Sequence, residues 1–442
     1  MDKQATMQIA IIGAGPAGLF AAEALASKGY GVALFNRDIK PGGLAEYGIF
    51  PDKHKLKDGL RTQFKNILGS ERIEYYGNIR LGVKECIHLS TLFTWGFQAV
   101  LVTCGAQGIK SLQLPGETLE GVIHAKDLVY HYNRLPPFAS KPYHFGKKIA
   151  IVGAGNVMAD IAHYLLNYTQ TEEISVVIRR GPGEVKFDKK EMEPIISYLD
   201  IEAFESEMLR VSTEMAKVGQ DPAGARGNIL AALPKAHPAT RKATLSFQFL
   251  ASPKQVIGEK RVEALEIEHN ELALKDGEVT AKGTGKFSRI QVDNVIFAIG
   301  DRVQEELGLP VNRNELFISN IPAFAIEGES YELQDPSTGQ NLPGVFVAGW
   351  SRKPSSGLVG TARKDGVNAA KAVDLFLVNN SVHQGVARID LENRLKKTGC
   401  VVVKKEHLPI LENEERLQAE KKHLEEFKFD TNEKMLAVIG VK

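Results

Sequence analysis

Three features of this 442-residue chain predict an α/β fold. Short apolar runs end repeatedly in glycine turns. Two of those turns, at Gly13 and Gly153 and about 140 residues apart, open helices with an apolar stripe. Each of those helices leads into a second apolar run. Strand, glycine turn, helix, strand is the order of a Rossmann-like unit. The expected architecture is therefore two Rossmann-like dinucleotide-binding domains, the second inserted into a discontinuous first.

Residues 9–12 (Ile-Ala-Ile-Ile) read as a buried parallel strand. Gly13-Ala14-Gly15-Pro16-Ala17-Gly18 follows at once. A helix is expected over 19–28, with Leu19, Ala22, Leu25 and Ala26 on one face, and a strand over Val32–Phe35. In this pattern Gly13 makes the tight turn and Gly15 lets a pyrophosphate approach the backbone. Gly18 lets the helix pack on the strand, and the helix start offers unpaired N–H groups to phosphate. The second strand of such a unit usually closes on an acid that grips ribose hydroxyls. Asn36 stands there, followed by Arg37; its amide can still exchange hydrogen bonds with hydroxyls.

The pattern recurs after Lys147-Lys148. Ile149–Val152 leads into Gly153-Ala154-Gly155-Asn156-Val157-Met158-Ala159-Asp160. A helix with Ile161, Leu165 and Leu166 on one face follows, then Ile174–Ile178 and Arg179-Arg180. Met158 takes the place of the third glycine. Two guanidiniums at the end of that strand suit a 2′-phosphate, where an acid would repel it. The second unit is thus read as an NADP(H) site. The first carries no such reader and is assigned FAD, which makes the chain a flavoprotein.

Three further apolar runs, Ala99–Cys104, Val295–Ile299 and Val345–Ala348, also end in glycine, at Gly105, Gly300 and Gly349. Glycine there lets backbone approach a ligand at the carboxyl edge of a parallel sheet. Residues 1–108 are expected as the first part of the FAD domain and 109–298 as the NADP domain. Residues 299–380 complete the FAD domain, and 381–442 form a C-terminal packing arm. Pro115-Gly116 and Pro136-Pro137 mark loops, and 213–242 reads as an irregular surface excursion. Residues 403–434 alternate acids and bases around Leu411, Leu417, Leu424 and Phe427, which suits an exposed helix or packing arm.

Composition excludes other classes. Apolar residues make up 43% and charged residues 25%, which rules out a disordered or fibrous chain. Fifty-five basic residues against 54 acidic ones leave a net charge of +1, so wholesale binding to nucleic acid or anionic membrane is not expected. The three cysteines (86, 104, 400) form no C-x-x-C. A dithiol relay, a four-cysteine zinc site and a cysteine-bound iron–sulfur cluster are excluded, and no metal is expected. No apolar run reaches the length of a membrane span, and residues 1–8 carry no signal-peptide core. The expected compartment is the cytoplasm.

Several segments, in order, resemble the adrenodoxin reductase type of ferredoxin–NADP reductase. They are Pro41-Gly42-Gly43-Leu44, Tyr47-Gly48-Ile49, Pro51-Asp52, Tyr76-Gly77-Asn78, Cys104-Gly105-Ala106 and Tyr132-Asn133-Arg134-Leu135-Pro136. Gly155-Asn156-Val157, Asp160, Arg179-Arg180-Gly181-Pro182, Ser252–Val256, Gly349-Trp350 and Pro354–Val359 continue the match over about 7–377. By this resemblance Ala17, Asn36, Gly43, Leu44 and Leu81 would line FAD, with Glu usual in the family at the Asn36 place. Trp350, Gly357, Leu358 and Val359 would meet the isoalloxazine. Ala154, Gly155, Asn156, Val157, Arg179, Arg180 and Glu191 would hold NADP, with Gly357 shared. The chain departs from the family in reading Pro51-Asp52-Lys53-His54 where Pro-Asp-His-Pro is usual, and in a shorter stretch around 213–245.

The implied activity passes hydride from NADPH to FAD and then single electrons to a ferredoxin-like or flavodoxin-like carrier protein. No acid–base or nucleophilic catalytic residue is needed, because the cofactors carry the chemistry. Gly357-Leu358-Val359, opening an expected helix over Gly360–Val373, would offer N–H groups to a reduced flavin. Lys235, Arg241 and Lys242 are candidates to steer an acidic carrier, against the plainer reading of a solvated loop. Two alternatives stand beside this one: an electron-input module like the glutamate synthase small subunit, and a non-enzymatic flavin- and NADPH-binding sensor or scaffold.

Overall fold

A computed structural model describes residues 7–85, 87–380 and 390–441. Cys86 and residues 381–389 of the expected arm lie outside these. The chain divides into two compact units. The first comprises Met1–Lys110, Tyr130–Ser140 and Gly300–Lys442, and the second Ser111–Val129 and Lys141–Ile299. Residues 130–140 group with the first unit because Tyr130 and Leu135 are buried against Tyr47.

The first unit is built on a seven-stranded sheet. Its central strands are β1 (Met7–Ile12), β2 (Gly31–Phe35), β3 (Ile73–Gly77) and β4 (Ala99–Val102), joined by β18 (Asn341–Val347), all parallel. Antiparallel edge strands β17 (Glu332–Gln334) and β19 (Val403–Lys404) complete the order β17-β18-β4-β1-β2-β3-β19. Ile12 pairs with both Phe35 and Val102. The carboxyl ends of β1, β2 and β4 therefore stop level, and the residues that follow them meet at one edge.

Both faces of this sheet are covered. On one, α1 (Pro16–Ser27), α3 (His54–Leu68) and α10 (Val359–Asn379) bury Leu19, Leu25, Phe64 and Val373 against Ile9, Ile11, Val32 and Leu34. On the other, α4 (Leu89–Trp95) and α11 (Leu391–Lys397) bury Leu92 and Leu395 against Ala10, Ile12 and Val100. Helix α10 runs six residues beyond the expected end at Val373, because Leu377 is still in the core. Two short ribbons, β5 (Gly108–Ile109) with β14 (Asp301–Arg302) and β15 (Val311–Asn312) with β16 (Glu315–Leu316), also belong here.

After β19, α12 (Leu408–Lys421) and α13 (Asn432–Ile439) bury Leu408, Leu411, Met435 and Ile439 in the first unit's core. Leu417 and Leu424 point to solvent.

The second unit has a five-stranded parallel sheet. Its order is β6 (Val122–His124), β13 (Asn294–Phe297), β7 (Lys148–Val152), β8 (Glu173–Val177) and β9 (Thr244–Gln248). A three-stranded antiparallel sheet, β10 (Ala251–Ile257), β11 (Ala264–Lys275) and β12 (Glu278–Gln291), packs beside it through Val256, Leu265 and Ile267. Helix α6 (Asn156–Tyr168) follows β7, and α5 (Ala125–Tyr132) gives residues to both units.

The stretch 213–242 differs from its expected irregularity. Helix α8 (Ile201–Lys217) runs into it, and α9 (Pro222–Leu230) lies wholly within it. Gly, Ala and Pro suggested a loop. Asp200 and Asp221 instead cap the two helices by accepting from the amides of Ala203 and Ala223. Pro222 sits in the first turn, where no N–H is required. Phe204, Met208, Val211 and Met215 form the buried stripe of α8.

Arg241 is likewise no free docking charge. Its guanidinium donates to the carbonyls of Leu165, Leu166 and Thr171, which closes the C-terminal end of α6. Lys235 and Lys242 are exposed.

Candidate functional site

Each unit carries a glycine cradle at the carboxyl edge of its parallel sheet. In the first, Gly13 adopts φ +111°, and a Cβ there would lie 2.6 Å from Cys104 Cα. Only glycine fits a left-handed turn pressed on a neighbouring backbone. A Cβ on Gly18 would lie 2.0 Å from the Gly13 carbonyl, so α1 packs directly on the turn. Gly15, by contrast, has no atom within 4 Å of its Cβ position. It caps α1 without any side-chain acceptor. The first amides of α1 thus face an open cradle with room for a pyrophosphate.

Around this cradle the expected residues converge. Gly42 donates its amide to the Ala14 carbonyl at 2.7 Å, and a Cβ on Gly43 would lie 3.1 Å from Gly15 Cα. The Cβ of Ala17 lies 2.8 Å from that of a side chain placed on Gly349. The Gly105 amide donates to Ser351 Oγ at 2.8 Å, and the Gly349 amide to Asp365 Oδ2 at 2.6 Å. Trp350 is half-buried and donates its indole N–H to the Ser356 carbonyl at 3.0 Å. Gly357 (φ +73°) precedes Leu358, the cap of α10, and Val359, its first residue. Leu358 is 69% exposed, so this helix start is open to a ligand. Leu44 packs with Tyr47 and Tyr130. Leu81 pairs with Ile87 in the loop after β3 and packs on the apolar layer of the sheet's other face.

Asn36 stands at the expected place and is spent on its own chain. Its Oδ1 accepts from the Ala14 amide at 3.0 Å. Its Nδ2 donates to the carbonyls of Asp38 and Lys40 and to the Tyr75 phenol, at 2.9, 3.0 and 3.2 Å. Both amide hydrogens are taken, and the side chain braces the turn.

In the second cradle Gly153 (φ +134°) would clash with the Ala298 carbonyl if it carried a Cβ, and Gly155 again has open space. Gly155 caps α6 with no side-chain acceptor. Ala154 accepts from the Lys186 amide at 2.8 Å. Asn156 latches Asp188 by accepting from its amide at 2.8 Å and donating to Oδ2 at 2.9 Å. Asp188 caps the short helix α7 (Lys189–Met192), which carries half-buried Glu191. Val157 is 41% exposed at the open helix start, whereas Met158 is fully buried in the third-glycine place. Arg179 is exposed and Arg180 half-buried just past β8. Neither guanidinium has a hydrogen bond or ion pair among the described residues. Gly357 belongs to the first unit.

Comparison with known proteins agrees with this geometry. Residues 7–201 match the family described as pyridine nucleotide-disulphide oxidoreductase. The chain is 28% identical over 402 residues to the NADPH-ferredoxin reductase FprA of Mycobacterium leprae, covering 84% of this chain and 83% of that one. It is 26% identical over 394 residues to the mitochondrial NADPH:adrenodoxin oxidoreductase of Arabidopsis thaliana, covering 80% and 79%. A solved structure of a Mycobacterium tuberculosis FprA mutant superposes with a TM-score of 0.82 at 25% identity, covering 98% of this chain and 99% of that one. The chain is an oxidoreductase similar to the NADPH-ferredoxin and NADPH:adrenodoxin reductases.

Sequence reasoning missed the residues that hold the first cradle's rim. Asp365 anchors the Gly349 amide and also pairs with Arg352, which is 5% exposed and lies over the Tyr331 ring. Arg352 and Lys353 hold the Glu329 carboxylate down to about 2. Gln107 ties Arg37 and Tyr130 together at 3.1 Å each. None of these has a motif of its own. Their partners come from other elements, so spacing along the chain carries no signal.

A buried ion cluster lies beside the Pro41–Leu44 loop. Lys40 meets Glu415 at 2.6 Å and Glu46 at 3.3 Å, and Lys428 meets Glu46 at 2.9 Å. Arg61 pairs with Glu46 through Nε and one Nη, each at 2.7 Å, and also with Glu426. Lys57 donates to Asn133 Oδ1 at 3.0 Å and lies 3.5 Å from Glu426. Burial pushes the Glu46 carboxyl up, but Lys40, Lys428 and Arg61 outweigh it and hold Glu46 well below the usual range. Burial, aided by Lys428, pulls Lys57 down to about 8.

Proposed function

We propose that this oxidoreductase takes electrons from NADPH at the second cradle, through FAD at the first, and passes them singly to a ferredoxin-type carrier protein. Domain roles follow. Residues 1–108 and 299–380 would hold FAD, 109–298 would hold NADPH, and 381–442 would brace the FAD domain. The observation that carries the reading is two open helix starts without side-chain caps, the second followed by two guanidiniums that have no partner among the described residues. When bound, FAD accepts hydride from NADPH and releases electrons one at a time.

The protein's own work is binding and alignment. Amides at the starts of α1 and α6 would hold the two pyrophosphates. Arg179 and Arg180 would hold the 2′-phosphate, which NADH lacks. Gly105, Gly349 and Trp350 would line the flavin pocket, and the open start of α10 at Gly357–Val359 would supply N–H donors. The solved structure of M. tuberculosis FprA in complex with NADPH, a chain of the same fold, supports the coenzyme choice by analogy. Among the described residues no helix is long and apolar enough to cross a membrane.

The test is an absorbance spectrum of the purified protein followed by anaerobic titration with NADPH and then NADH. A flavin spectrum bleached by NADPH at far lower concentration than by NADH is expected. A colourless protein, or one that prefers NADH, would defeat the reading.

A further inference from the structure

Resting on the assignment of FAD to the first cradle, we propose that Glu415 and Lys428 of the C-terminal arm are positioning residues for FAD. They act as a two-point clamp on the loop that closes the cradle. The segment from Lys40 to Glu46 is a short loop with Gly42-Gly43 that runs into the one-turn helix Leu44–Tyr47, and it begins and ends on a charged residue. Both of those residues are gripped by the arm, Lys40 by Glu415 at 2.6 Å and Glu46 by Lys428 at 2.9 Å. Lys428 also donates to the backbone carbonyl of Glu46 at 2.9 Å and lies over the Tyr47 ring. Between the two grips, Gly42 bonds Ala14, and Gly43 sits against Gly15. The grips therefore set how closely the loop lies on the turn whose amides face the phosphates.

The clamp is a built feature. Lys40 is 7% exposed, Glu46 3%, Glu415 6% and Lys428 5%. Charges so far from water persist only when each is paired. Arg61 and Glu426 extend the pairing towards solvent, where Asp58 meets Arg61 at 3.2 Å. The apolar attachment of the arm uses different residues, Leu408, Leu411, Met435 and Ile439. An arm that needed only to cover the core would require the second set alone. Neither Glu415 nor Lys428 lines the cradle, so their influence on FAD runs through the loop.

The test compares three variants of the flavin-loaded protein: Glu415→Gln, which keeps the side chain's size and an acceptor, Lys428→Met, and Leu411→Ala. The last loosens the arm's apolar attachment without removing a clamp charge. FAD release on dilution is followed by flavin fluorescence, and bound flavin by visible circular dichroism. Retention on immobilised 2′,5′-ADP reports a folded second unit. The two clamp variants are expected to release FAD at least tenfold faster, with an altered flavin dichroism and unchanged retention. Leu411→Ala, even at an equal loss of melting temperature, should stay within twofold of wild type. Clamp variants within twofold of wild type would overturn the proposal, as would a Leu411→Ala variant that loses FAD equally fast. A wild-type protein without flavin would overturn the FAD assignment and the clamp with it. A flavin-bearing wild type with unaffected variants would overturn the clamp alone.

Discussion

The two cradles share a glycine motif and differ in what stands at the rim. Around the first, side chains are spent on the protein itself: Asn36 on three backbone groups and Tyr75, Ser351 on Gly105, Asp365 on Gly349. Around the second, the two cations at the end of β8 have no partners among the described residues. A glycine turn at a helix start says where an anion goes. The rim says how the site is used. A rim locked by its own chain suits a cofactor that stays, while free guanidiniums suit a coenzyme that comes and goes and must be told from its unphosphorylated form.

The largest test of this contrast is steric. Gly18→Val places side-chain carbon against the Gly13 carbonyl, where a Cβ already has only 2.0 Å. Overpacking of a backbone contact that cannot shift is expected to cost about 3 kcal/mol or more of stability and to abolish FAD retention. Gly155→Ala, in the second cradle, meets open space. It should leave stability within about 0.5 kcal/mol of wild type and weaken only NADPH binding. Thermal unfolding with and without flavin, beside flavin content, checks both.

Next in size is the phosphate discrimination. Each charge-assisted contact is worth about 1.5–3 kcal/mol, and about 1.4 kcal/mol is tenfold in affinity. Arg179→Ala and Arg180→Ala should each raise the KM for NADPH by at least tenfold and leave that for NADH unchanged. Steady-state rates with both coenzymes and ferricyanide as acceptor measure this. Equal losses for the two coenzymes would move the 2′-phosphate elsewhere.

A smaller effect separates the first cradle by pH. Lys57 is 1% exposed, and burial first, then Lys428, brings its ammonium from the ordinary 10.5 down to about 8. Below pH 8 both folded and unfolded chains hold this proton, and the folded state bears the cost of a buried ammonium. Between about 8 and 10.5 the folded chain has released a proton that the unfolded chain keeps, so this group's contribution to stability rises with pH. Lys57→Gln, which can still donate to Asn133 Oδ1, should gain melting temperature over wild type at pH 7. That gain should shrink towards pH 10. A pH-independent difference would mean that Lys57 does not titrate in this range.

Much of this was legible in the sequence, and the failures share a cause. The β1–turn–α1–β2 and β7–turn–α6–β8 orders follow from local apolar spacing and glycine, and the Arg179-Arg180 position from its place after β8. Long-range pairing was invisible. Lys40 and Glu415 are 375 residues apart, and Lys428 reaches the Glu46 carbonyl across 382. Nothing local in a Lys or Glu announces that it will be buried with a partner from the other end of the chain. Asn36 misled for the same reason, since its residue type suited hydroxyls while its surroundings supplied carbonyls first. Over 213–242, composition outweighed the two Asp caps that define the helices.

The smallest expected effect concerns Arg241. Free basic charges near an acidic carrier would raise its encounter rate at low salt. A guanidinium bonded to three carbonyls at a helix end does structural work instead, worth about 1 kcal/mol. Arg241→Ala should therefore lower stability by about that amount, as read from denaturant unfolding, and leave the low-salt rate of ferredoxin reduction unchanged. Lys235 and Lys242, exposed on the same unit, form the internal control. If Lys235→Ala with Lys242→Ala slows ferredoxin reduction while Arg241→Ala does not, steering and bracing are divided among neighbours. If Arg241→Ala alone slows it, without loss of stability, the helix-end contacts are not what the side chain is for, and the second unit would hold a docking charge as free as Arg179 and Arg180.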